Sequence, residues 1–250
     1  MDLLGGKMLG FVLVMTRIGA FFATAPVFSW KSIPVKVKLV TALLLSVFFA
    51  SNTSYLIKGE DTLVLEAAIL MTMEVIYGLA MGLTATFLFT SIKIGARIVE
   101  RQMGLAMASV MDPLSGESGQ TLGVMIEMIF MLLFLSANGH HMFIMTMSKS
   151  YDAFPIGTIP QIATLTDGLI TTSVTMLILG LKISAPMLAA SFLLMVILGV
   201  MARIAPEMNI LFLSLPMRVG MGLLMVGIFF PFINNFVQDF AGWMDKLMPL

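Results

Sequence analysis

The chain has 250 residues, no net formal charge, 59% hydrophobic and 11% charged residues, and a mean hydropathy of +1.02. Soluble domains run about 45–50% apolar and roughly 25% charged, so a soluble enzyme, a disordered chain and a nucleic-acid binder, which would need clustered Lys and Arg, are excluded. Cysteine is absent, which removes disulfides and thiol chemistry, while 25 Met supply flexible, polarizable side chains suited to adaptable apolar surfaces.

Apolar stretches at roughly 8–28, 37–51, 62–92, 121–148, 167–202 and 209–236 reach or approach the ~20 residues of a membrane helix. The first mimics a signal peptide, with Lys7 as basic flank and Ala23-Thr24-Ala25 as cleavage site. Arg17 inside its apolar core and Pro26 after the would-be scissile bond argue instead for a retained helix. The second stretch is short. Three others are too long: thirty residues of helix rise about 45 Å against a hydrocarbon core of about 30 Å. They must tilt, kink or run past the bilayer. Turn signals separate the stretches, among them Pro34, Asn52, Gly59, Asp112-Pro113, Pro155-Ile156-Gly157 and Pro206. The predicted fold is an all-α membrane protein. Lys31, Lys36 and Lys38 mark a cytoplasmic loop, and the acidic balance of Lys58-Gly59-Glu60-Asp61 marks an outer one.

Arg17, Glu66, Glu74, Glu127, His140, His141, Lys182 and Arg218 fall within or near the apolar stretches. A charge at a helix centre costs about 2.5–3.5 kcal/mol on insertion scales. Such residues either line an ion path or are satisfied against other protein. Snorkelling at a helix end accounts for Glu66 and Lys149. There are no acids paired at i, i+4 and no two halves with matching broken helices. Burial as polar contacts, within the chain or to neighbours, is therefore the expectation for Arg17, Glu74, Glu127, Lys182 and Arg218. Gly78 and Gly82 form a small-residue face open to close helix approach, although Gly is common in membrane helices anyway. Pro186, Pro216 and Pro231 each remove a helix hydrogen bond and predict kinks.

Residues 93–120 stand apart. Lys93, Arg97 and Arg101 recur at helical spacing, followed by Met103, Met107 and Met111 and then by Asp112-Pro113 and a Gly/Ser-rich turn. The segment is too charged to span and too apolar after 102 for an ordinary loop. It reads as an interfacial amphipathic helix or as a re-entrant segment in a cavity. Further on, adjacent His140 and His141 point about 100° apart on a helix and have no acid or Cys at ligand spacing. Asn138, Gly139 and His140 read as a structural turn, with no metal expected.

Several runs in order resemble the FliR family of flagellar type III export-gate membrane proteins and its injectisome relatives. They are Thr16-Arg17-Ile18, Ala25-Pro26, Ile33-Pro34 with Lys38, Gly95, Gln102-Met103-Gly104, Asp112-Pro113, Asn138-Gly139-His140-His141, Ser150 with Pro155-Ile156-Gly157, and Arg203-Ile204-Ala205-Pro206 with Asn209-Ile210. The Asn-Gly-His run with the upstream Asp-Pro is the specific part.

The resemblance implies long kinked helical hairpins packed as one subunit of a helical, conical export-gate assembly. Its partners would be the sister subunits FliP and FliQ, with FlhB around the base and FlhA. Membrane lipid and unfolded export substrates in transit are the other contacts, with no nucleic acid and no cofactor. Residues 1–165 would be the FliP-like part, including a re-entrant plug segment at 93–120, and residues 166–250 the FliQ-like hairpin and tail. The location would be the inner membrane and flagellar basal body, with the core displaced toward the periplasm. The plug would be formed by Met103, Gly104, Met107, Met111, Asp112, Pro113, Gly116 and Gly119. The expected role is structural and gating rather than enzymatic. The alternatives are an injectisome homologue and an ion-coupled small-molecule transporter using Arg17, Glu74 and Lys182.

Overall fold

The computed structural model describes residues 2–29, 33–52, 64–104, 121–159, 162–207, 209–210 and 212–228. The helices are α1 (Asp2–Thr24), α2 (Pro26–Ser29), α3 (Val35–Asn52), α4 (Val64–Gln102), α5 (Thr121–Ser136), α6 (Gly139–Ala153), α7 (Ile162–Ile204) and α8 (Phe212–Ile228). This is an all-α protein. The segments Gly6–Thr24, Leu65–Gln102 and Ile162–Ile204 are long and apolar enough to cross a membrane. α5 and α6, two residues apart, add one more span only if taken together as a broken one.

Two helix boundaries fall elsewhere than the limits of the apolar stretches. α4 does not stop near residue 92 but continues to Gln102. Arg97 and Arg101 lie one turn apart on an exposed stripe, while Ala96, Val99, Glu100 and Met103 are buried, so the charges decorate one side of an unbroken helix. α4 then ends where Gly104, at φ +78, takes the left-handed conformation and donates its N–H to the Arg101 carbonyl at 3.1 Å. The stretch 121–148 is broken at Asn138, whose φ of 60 is also left-handed. Its carbonyl accepts the His141 N–H at 2.9 Å as α6 begins.

The described residues fall into two compact units. One holds those of 1–89 and 138–173, the other those of 90–137 and 174–240, and α4 and α7 run through both. In the first, α1 packs on α2 and α3. Phe21 meets Phe143 edge-on at 5.7 Å, Phe22 meets Phe28 at 4.0 Å, and Phe49 meets Tyr151 at 5.4 Å. α1 also lies close against α4. A Cβ at Gly78 would collide with the Arg17 carbonyl oxygen and lie 2.7 Å from Ala20 Cβ, and one at Gly82 would collide with the Thr24 side chain. One turn further on, the Thr86 hydroxyl donates to the Thr24 carbonyl at 2.7 Å. Gly78 and Gly82 thus serve contact within the chain.

In the second unit α4 and α7 approach through another glycine pair. A Cβ at Gly95 would lie 3.1 Å from the Gly180 carbonyl oxygen, and one at Gly180 would lie 3.1 Å from that of Ser91. Below this crossing Val99, Met103 and Met187 form a core, with Met225 and Val226 of α8 packed against it.

Candidate functional site

The first unit buries a charge pair. Arg17 on α1 and Glu74 on α4 are both fully inaccessible, and Arg17 Nε lies 2.5 Å from Glu74 Oε2. Desolvating two such ions costs several kcal/mol each unless their remaining hydrogen-bonding capacity is met. Here it is met from the end of α6. That helix stops at Ala153 because Phe154 leaves helical geometry (φ −128, ψ 85) and Pro155 follows. Its last turn therefore has carbonyls without helical partners and carries the negative end of the helix dipole. Arg17 Nη1 donates to the Ser150 and Phe154 carbonyls, each at 3.1 Å, and Nη2 donates to the Phe154 carbonyl, also at 3.1 Å.

The guanidinium carbon also lies 4.9 Å from the Tyr77 ring centroid and 4.6 Å from that of Tyr151. Both distances are within the range of cation–π attraction. Tyr77 in turn packs on Phe154 at 4.8 Å and shares a small core with Ala80 and Leu165.

The second oxygen of Glu74 is also engaged. Its Oε1 accepts the Gly157 N–H at 3.2 Å. Gly157 has φ +87, a conformation that L side chains rarely adopt, and the preceding Ile156 is fully buried. The cluster therefore ties α1, α4, the end of α6 and the 154–159 connection into one point. Arg17 and Glu74 direct their charges at each other and at backbone groups. The arrangement holds helices together and offers no open ligand to a passing ion.

The second unit contains Met103, at 0% exposure. Its side chain occupies the space where a Cβ on Gly222 of α8 would be. Gly104 follows, and a Cβ there would touch only Leu215, at 3.5 Å. Met107, Met111, Asp112, Pro113, Gly116 and Gly119 lie outside the described residues. The buried Glu100 carboxylate lies at the first turn of α5, where a Cβ on Gly123 would be 3.0 Å from its Oε2.

The other residues singled out from sequence are distributed differently. Glu127 and Lys93 pair at 3.4 Å, but their side chains are 40% and 42% exposed, so Glu127 is not buried within the chain. Lys182 is exposed and Arg218 half-buried. Both stand on helices whose apolar composition suggested burial, and the described residues do not bury either. His140 and His141 stack at 4.4 Å between ring centroids. No group of three potential metal ligands occurs among the described residues. Sequence reasoning misses Tyr77, Tyr151 and Gly222, and names Gly157 only as part of the Pro155-Ile156-Gly157 turn.

A family model described as "Bacterial export proteins, family 1" matches residues 8–243. The Flagellar biosynthetic protein FliR of Escherichia coli (strain K12) is 28% identical over 234 residues, covering 94% of this chain and 89% of that protein. Its counterpart in Bacillus subtilis (strain 168) is 29% identical over 223 residues, covering 86% of this chain and 84% of that protein. The Yop proteins translocation protein T of Yersinia pestis is 26% identical over 234 residues, covering 91% and 88%.

Proposed function

The chain belongs to the bacterial export proteins, family 1, and on that premise we propose that it is a core subunit of a flagellar type III protein export gate. The observation that carries this reading is the extent of the likeness: relatives bearing a flagellar biosynthetic name align over nearly the whole of both chains. A subunit role fits the physical chemistry. The apolar helix α7 is 43 residues long and only 33% of its most apolar part is buried by its own chain. Such a helix leaves most of its apolar surface to be covered from outside the chain, by lipid or by further protein.

The finer reading places the chain in the inner membrane as part of the flagellar basal body, assembled with FliP, FliQ, FlhB and FlhA and displaced toward the periplasm. Residues 1–165 act as a FliP-like part and 166–250 as a FliQ-like hairpin. The protein works by forming and gating a path for unfolded substrates, without catalysis. Residues 104–119 act as a plug, and Met103, expected from the sequence at its tight point, is packed in the chain's own core instead. Unbranched Met side chains can deform around varied cargo and close again by apolar packing, and an apolar constriction expels water.

The test is complementation in the native host lacking its own copy. The chain should restore secretion of flagellar subunits and motility. Normal membrane levels of the chain without flagellar secretion would overturn the reading. Recovery of effector secretion instead would favour an injectisome subunit, the second reading, which rests on the likeness to the Yersinia translocation protein. Deleting 106–117 should leave the complex assembled but make cells leak small ions. Lost assembly with intact impermeability would sink the plug.

A further inference from the structure

One side of α7 in the second unit is used up by its own chain: Leu179, Met187, Ala190, Leu194 and Leu198 are buried, and Gly180 and Ile183 meet α4. The opposite side is bare. Ile178 is 49% exposed, Phe192 67% and Val196 50%, and Lys182, Ala185 and Ala189 between them are exposed too. Lys182 stands twenty residues into the 43-residue helix. Among the described residues no hydrogen bond or ion pair engages its ammonium. Pro186, one turn on, lies inside the helix and has no N–H to give the Lys182 carbonyl.

Neither lipid nor water suits this face. The contour length of α7 is about 64 Å, twice the hydrocarbon core of about 30 Å. Centring the helix in the bilayer strands Lys182 near the midplane, beyond the reach of a snorkelling side chain. Moving either half into the lipid instead leaves the other half's Ile, Leu, Val and Phe in water. A protein cover removes both problems.

We propose that this face of α7 docks an apolar helix of another subunit that presents an Asp or Glu to Lys182. Its backbone comes close over Ala185 and Ala189, where small side chains permit it. The carboxylate neutralises the ammonium at a depth where neither ion is tolerated alone. The proposal rests on the export-gate reading, since it takes the partner to be a membrane subunit of the same complex.

The test uses the full chain in the native host lacking its own copy. With Ala189→benzoylphenylalanine, ultraviolet light should attach the chain to a membrane protein of the complex, within an apolar segment containing an acid. Lys182→Glu should lower the recovered complex about tenfold through like-charge repulsion in a desolvated site. Lys182→Arg should retain it, and changing the identified acid to Lys should rescue Lys182→Glu. An adduct to lipid alone, an adduct to a second copy of this chain, or normal recovery with Lys182→Glu would overturn the proposal. Secretion restored by the unmodified chain in those cases leaves the export-gate reading intact. Failure of secretion together with a charge-rescued adduct sinks that reading and not the docking.

Discussion

Met103 fills the hollow over the bare Cα of Gly222 so completely that a Cβ there would lie 2.5 Å from Met103 Sδ and 2.6 Å from its Cε. Met103 directly follows α4 and Gly222 stands on α8, yet each defines the space available to the other. Met103 is also the last buried residue before Gly104 turns the chain out of α4.

Gly222→Ala should accordingly displace Met103. A flexible side chain can move, but a close-packed interior penalises overpacking by typically 1–3 kcal/mol. Complex recovered from membranes should fall with Gly222→Ala. The double variant Gly222→Ala with Met103→Ala should recover part of the loss, because the new methyl enters the vacated space. A double variant equal to the sum of the two single losses would show that the residues do not compete for one volume.

The glycines on α4 and elsewhere allow an internal comparison. In an exposed helix Gly→Ala gains up to about 1 kcal/mol from helix propensity. A Cβ at Gly19 or at Gly199 would meet nothing within 4 Å, so Ala at either should be tolerated or mildly stabilising. Ala at Gly78 would press on the Arg17 backbone, which cannot swing aside as a side chain can. Heating membranes and following the soluble fraction of the detergent-extracted complex should rank Gly78→Ala well below Gly19→Ala. Equal midpoints would contradict the close approach of α1 and α4.

Arg17 and Glu74 are legible in the sequence as residues needing protein around them, because a charge amid apolar helix residues has few other fates. Their pairing is not legible. They are 57 positions apart, and no spacing rule reaches across two helices and a connection. Glu127, also on an apolar helix, reaches Lys93 within the chain at a half-exposed surface. The Gly78–Gly82 face is visible as a pattern, while its partner, α1, depends on tertiary packing. Lys93, Arg97 and Arg101 suggest a change of structure near residue 92 only when charge is taken without periodicity. At i, i+4 and i+8 they share one side of the helix, and the opposite side stays apolar enough to bury. Nothing local announces Gly222, whose requirement comes from a Met more than a hundred residues away.

Gly157→Ala should weaken the Arg17 cluster from its edge. A non-Gly residue in left-handed backbone costs roughly 1–2 kcal/mol, and relaxing it would draw the 157 N–H away from Glu74. Gly157→Asn, which tolerates that region better, should lose less complex than Gly157→Ala. The reverse order would show that the backbone angle is not what the position requires.

Removing one member of a buried ion pair leaves an uncompensated charge and costs about 3–5 kcal/mol. Arg17→Met leaves Glu74 without its cation in a cluster rich in backbone carbonyls and ring faces, with the Gly157 N–H as its remaining donor among the described residues. Glu74→Leu leaves the guanidinium with those carbonyls and rings, which go on stabilising a cation. The two single variants should therefore be unequal, with Arg17→Met the more damaging. Arg17→Met combined with Glu74→Leu removes both buried charges and should recover more folded chain than Arg17→Met alone. By contrast Glu127→Gln breaks a half-exposed pair, worth about 0–1 kcal/mol, and should pass nearly unnoticed in the same assay. Membrane levels by immunoblot and complex yield after extraction give all four values. Additive losses at residues 17 and 74, or a loss at residue 127 as large as that at 17, would show that the buried pair does not hold α1, α4 and the end of α6 together.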